Sequence, residues 1–159
     1  MICPLGDSRH FVLITKALRD EGTSHHYVPT AEWSHLAPTL QERLLPAIRN
    51  LSEPVLAGAS WTTDAPYRET PSAIAAAEAS GINCVEMEAA ALYAYGAARQ
   101  RDVVCFAHIT NSMAVNGNDL AASREQRMER SAPSKSLKLQ VAPSSPPELR
   151  IWNAIACPC

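Results

Sequence analysis

The stretch Val103 to Ile109, Val-Val-Cys-Phe-Ala-His-Ile, is a continuous apolar run of strand length, and it constrains the fold more than any other. A strand with no polar alternation is buried on both faces, which requires helices on either side of its sheet. The sequence before it supplies them. Ala89 to Gln100 is an alanine-rich helix, Ile82 to Met87 a short strand, and Ser72 to Ser80 a second alanine-rich helix closed by Gly81. Pro54 to Ser60 is a further strand with small residues. Strand, helix, strand, helix, strand is the pattern of an α/β sheet covered by helices, and sites in such sheets sit in loops at strand ends.

Nearer the N-terminus, Phe11 to Ile14 reads as a buried strand. The polar turn Arg19 to Tyr27 follows, and a second strand is expected at Tyr27 and Val28. From Pro38 to Leu51, apolar residues at Leu40, Leu44, Leu45, Ile48 and Leu51 give the rhythm of an amphipathic helix. Pro38 suits its first turn, while Pro46 argues against a straight helix.

With 159 residues, 47% of them hydrophobic, the chain can bury a core of its own. A formal net charge of -2 gives no basic footprint, so neither nucleic acid nor an anionic membrane is an expected partner. No apolar run approaches the roughly 18 residues of a membrane span, and the start of the chain has no secretory pattern, so a cytoplasmic location is expected. Five cysteines (Cys3, Cys84, Cys105, Cys157, Cys159) are an odd number without framework spacing and read as free thiols. No metal site is expected, because nothing near Cys157-Pro158-Cys159 completes one.

The chemistry centres on Glu86-Met87-Glu88, two carboxylates one residue apart where a strand becomes a helix. Alone, they fit a solvated helix start, a metal pair, or acceptors for a diol. Three other stretches give them context: Ala17 to Tyr27, Trp61 to Thr70 (Trp-Thr-Thr-Asp-Ala-Pro-Tyr-Arg-Glu-Thr), and His108-Ile109-Thr110-Asn111. In order and approximate spacing, from about Phe11 to Met113, these resemble the nucleoside phosphorylase superfamily on its uridine phosphorylase side.

The resemblance implies a three-layer nucleoside phosphorylase-like α/β fold, with a mixed sheet flanked by helices. It implies phosphorolysis, in which nucleoside and phosphate give free base and ribose 1-phosphate, a pentosyl transfer of nucleotide salvage with phosphate as co-substrate and no cofactor. By position, Glu88 would accept from ribose hydroxyls, Met87 would pack on the sugar, and Glu86 would support both. Thr63, Tyr67 and Arg68 would line the base pocket, Tyr67 as its wall and Arg68 as a donor to base carbonyls. Asn111 stands where purine-specific relatives place an Asp. A neutral amide cannot protonate a purine, so a pyrimidine-like base is favoured. His108 reads as a core histidine. Relatives of this kind assemble from several copies, so a homo-oligomer is expected.

The chain departs from the family pattern in two places. The glycine-rich loop and the Arg-x-Gly-Thr stretch that hold phosphate have no counterpart, and Gly6-Asp7-Ser8-Arg9 lies too close to Phe11 to replace them. The expectation is an incomplete domain over residues 1–116, truncated at its start, with open strand edges. After about Asn116, a charged helix is expected over Asp119 to Arg130, and a Pro/Ser-rich, mobile tail completes residues 117–159. Ile151 to Ile155 is an apolar island that either docks or stays exposed. A non-catalytic remnant that keeps the ribose-binding half is the second functional reading.

Overall fold

The computed structural model describes residues 11–109 and the backbone of 150–155. Its strands are β1 (Phe11–Asp20), β2 (Trp33–His35), β3 (Val55–Thr63), β4 (Ile82–Glu86), β5 (Val103–His108) and β6 (Arg150–Ile155). Its helices are α1 (Pro38–Ile48), α2 (Pro71–Ala79) and α3 (Ala89–Arg99). The strands form one mixed sheet in the order β4-β3-β1-β5-β6, with β2 paired to β1. β1, β3 and β4 run parallel, and β5 is antiparallel to β1.

The sheet is flanked by helices, as expected. Alternation along β3 separates two faces: Trp61 packs with Ala73, Ile74 and Ala77 of α2, whereas the Thr62 hydroxyl meets the start of α3. α1 adds Leu40, Leu44 and Ile48 to the larger core cluster, which also holds Val12 to Ile14 and Val103 to Ala107. Pro46 lies within α1, whose helix continues two residues to Ile48. Among the described residues, no helix is long and apolar enough to cross a membrane.

Three expectations are corrected. β1 runs six residues past Ile14, because β2 and β3 hold Lys16 to Leu18 from both sides. β3 takes in Trp61, Thr62 and Thr63, past the Ser60 end expected from sequence, because β1 and β4 pair with this segment. Tyr27 and Val28 lie not in a strand but in a turn after the short 3-10 helix Ser24–His26, and the second strand comes at Trp33. The cause is Arg19, buried on β1: its Nε donates to Ser24 Oγ at 2.8 Å and its Nη1 to Pro29 O at 2.8 Å, curling the chain around the guanidinium. Ile151–Ile155, left open by the sequence, pairs as part of β6 in parallel with β5. Asp119 to Arg130 and the other residues between 110 and 149 lie outside the described residues.

Two side chains repair the sheet where its ladders break. β1 pairs with β5 only over Phe11 to Leu13 and then turns to β2, which leaves Ile14 C=O and Cys105 N–H facing across a fork. The buried Tyr93 hydroxyl of α3 fills it, donating to Ile14 O and accepting from Cys105 N at 3.2 Å. Between β3 and β4 the register slips at Ala59 and Ser60, and Asn83 Oδ1 accepts from Ala59 N at 3.0 Å. That amide occupies the space a Cβ on Gly58 would need, since such a Cβ would sit 2.1 Å from Asn83 Oδ1. Gly81, at φ 74, provides the left-handed turn from α2 into β4.

Tyr93→Phe leaves two buried backbone groups unpaired and should lower stability by about 1–3 kcal/mol, read from denaturant midpoints. Gly58→Ala must displace Asn83 and should cost about 2 kcal/mol by the same measurement.

Candidate functional site

The parallel strands β1, β3 and β4 end on the same side of the sheet, at Asp20, Thr63 and Glu86. Asp20 is in register with Thr63, and Thr62 with Glu86, so the three loops emerge within about two strand spacings, roughly 10 Å. Of the sequence-selected residues, Thr63, Tyr67, Arg68, Glu86, Met87 and Glu88 stand at or just beyond these strand ends.

Glu86 is fully buried. One carboxyl oxygen accepts from the Thr62 hydroxyl, and the other from Glu88 N at 2.8 Å and Ala89 N at 2.7 Å. Thr62 Oγ1 also accepts from Ala90 N at 3.0 Å. The first N–H groups of a helix have no partner within it, and Glu86 and Thr62 together take those of α3. Glu86 thus sets where Glu88, the residue preceding α3, must stand. Burial holds its carboxyl above the usual range, with the hydrogen bonds from Thr62, Ala89 and Glu88 pulling the other way. Burial, and then the Glu86 charge, push the Cys84 thiol up to about 12. Cys105 is raised by the same two causes, so both buried cysteines are inert thiols.

Glu88 and Met87 are exposed at the mouth of the strands, Met87 by 37%. Glu88 Oε2 makes one weak contact, accepting from Met87 N at 3.3 Å, and its carboxylate is otherwise open to a ligand among the described residues. Thr63 is buried, with Oγ1 accepting from Ala65 N at 3.2 Å, so it braces the following loop from within. Tyr67 is 86% exposed. Arg68 reaches back to Asp20, with Nη1 2.7 Å from Oδ1. Asn111 lies outside the described residues. His108 stacks on Phe11 with ring centroids 4.7 Å apart.

Ala17 to Tyr27 forms the wall beside α3. Glu21, buried, accepts from Thr23 N at 2.6 Å and Ser24 N at 3.0 Å, and Tyr27 meets Tyr95 edge to face at 5.6 Å. Asp20 and Thr62 were not singled out from sequence. Thr62 had a signal: Ser60 and Thr62 put hydroxyls on one face of an otherwise apolar strand, directly under an alanine-rich helix start. Asp20 had none, because its partners lie 41 and 48 residues away.

The model of the phosphorylase superfamily matches residues 6–139. The chain belongs to this superfamily. Solved structures share its fold. An AMP nucleosidase from Bacteroides thetaiotaomicron VPI-5482 has TM-score 0.57 at 20% identity, covering 78% of this chain and 57% of that one. A uridine phosphorylase from Vibrio fischeri ES114 has TM-score 0.58 at 22% identity, covering 75% and 49%. The chain therefore spans about half the length of these solved structures. A comparison with curated proteins returned no match.

A carboxyl whose folded pKa lies above its ordinary value, here 4.5, binds its proton more tightly when folded. Its contribution to stability is present below that value and is lost as pH rises through the raised one. Glu86→Gln mimics the protonated form, so the stability of wild type relative to this variant should fall as pH rises from about 4 to 8, measured by denaturant titration. Glu86→Ala, which uncaps α3, should cost upward of about 2 kcal/mol across that range.

Proposed function

We propose that this chain binds a nucleoside at the shared ends of β1, β3 and β4, and that it carries the nucleoside half of a phosphorylase-type site. The carrying observation is the pairing of a buried, structurally committed Glu86 with an open Glu88 two positions along the chain. A free carboxylate held in place by its neighbour suits two adjacent ribose hydroxyls, each donating to it. Met87 packs on the sugar ring. Tyr67 and Arg68, from the loop braced by Thr63, face the base, Tyr67 with an apolar surface and Arg68 with donors for carbonyl oxygens.

The reaction is transfer of the pentosyl group from base to phosphate, giving free base and ribose 1-phosphate. Departure of the base leaves positive charge on the sugar, and a carboxylate on the diol together with an anionic phosphate beneath the ring stabilises that charge in the transition state. The pyrimidine-like base expected from Asn111 carries no weight in this reading, because β5 is antiparallel to β1 and ends, at His108, beside Phe11, at the other end of the sheet from Asp20, Thr63 and Glu86. No cofactor is needed for this chemistry. A homo-oligomer is part of the same proposal, as is a domain boundary near residue 116. Because the chain spans about half of its solved relatives, binding and turnover are separate questions. The second reading is a binding module without turnover.

Calorimetry with uridine should show binding by the wild-type chain that Glu88→Ala weakens at least tenfold, about 1.4 kcal/mol. Release of uracil from uridine only when phosphate is added would establish phosphorolysis by this chain. Binding without release supports the module reading, and a wild-type chain that binds no uridine removes the proposal.

A further inference from the structure

At the end of β1, the Asp20 carboxylate accepts from two donors in different parts of the molecule. Oδ2 takes the indole Nε1–H of Trp61 at 3.0 Å, and Oδ1 takes the Arg68 guanidinium at 2.7 Å. Trp61 is packed among Ala59, Ala77, Ile82 and Val85, so its ring is fixed and the carboxylate is fixed with it. The Arg68 side chain is 55% exposed and that of Asp20 25%. An ion pair so open to water adds little to stability. What it does is aim the guanidinium, because a charge-assisted hydrogen bond to an anchored anion is directional. The base of the same arginine is held too: its N–H donates to Ala65 O at 2.8 Å. A second bond, from Gly22 N to Asp64 Oδ2 at 3.1 Å, joins the same two loops.

The result is a chain of contacts from core to site, Trp61 to Asp20 to Arg68. It uses one donor nitrogen of Arg68 and leaves Nε and Nη2 without a recorded acceptor among the described residues. We propose that Asp20 is a positioning residue for nucleobase recognition, holding Arg68 so that its remaining N–H donors meet a neutral, carbonyl-bearing edge of the base. This rests on the reading that the loop after β3 lines the base site. The carboxylate also neutralises the guanidinium, so the loop selects a neutral polar edge over an anionic group.

The test uses the full chain, with uridine and ribose 1-phosphate as separate calorimetric probes. Asp20→Asn keeps an oxygen for the indole and replaces the oxygen that holds Arg68 with an amide. It should weaken uridine about tenfold, the scale of one hydrogen bond to a charged group, and leave ribose 1-phosphate unchanged. In an Arg68→Ala background, Asp20→Asn should cause no further loss. Uridine affinity at the wild-type level, a parallel loss of both probes, or additivity with Arg68→Ala would each overturn the inference. A wild-type chain that binds neither probe overturns the nucleoside-site reading itself. If Asp20→Asn does not fold, Trp61→Phe keeps a ring, removes the indole donor, and should show the same uridine-selective loss.

Discussion

The buried carboxyl of Glu86 is the contact on which the rest of this structure turns. It closes β4, takes the first N–H groups of α3 with help from Thr62, and so joins β3, β4 and α3 at one point. A carboxyl out of water is costly unless its oxygens are satisfied, and here the two backbone donors that satisfy one oxygen, Glu88 N and Ala89 N, are thereby fixed themselves. The exposed Glu88 inherits its position from that network. Two carboxylates that look equivalent in sequence therefore divide the work: one holds the chain and the other faces solvent.

A similar logic governs the sheet. β1 is shared by β3 on one side and by β5 and then β2 on the other, so its ladder must break where β5 gives way to β2. Tyr93 bridges the break from α3, the same helix that Glu86 caps. Helix placement, sheet continuity and the location of the open carboxylate are consequently one problem. A shift of α3 would unpair buried polar groups both at its start and at Tyr93.

Much of this was legible in the residues. The β5 run Val103 to Ala107 is apolar throughout and proved buried, and the alanine-rich segments became α2 and α3 within a residue or two. Short-range signals such as Pro38 in the first turn of α1 and Gly81 after the end of α2 were equally plain. Strand ends were not. Arg19, Asp20, Trp61, Thr62 and Thr63 are polar or bulky, and their local chemistry reads as loop, yet ladder hydrogen bonds from neighbouring strands extend β1 and β3 through them. The turn at Ser24 to Val28 was misplaced for a related reason: a buried arginine, not local propensity, sets its path.

By itself, the sequence determined the class of fold, the helix and strand alternation, and the junction where chemistry gathers, because periodicity and Glu-Met-Glu spacing act within a few residues. It also determined the family through ordered segments. Only the tertiary structure decided which glutamate is buried and which is open, that Tyr93 and Asn83 patch the sheet, and that Asp20 links Trp61 to Arg68. Those outcomes depend on which groups lose water together when distant strands meet, and burial of that kind is a property of the packed sheet rather than of any one stretch of chain.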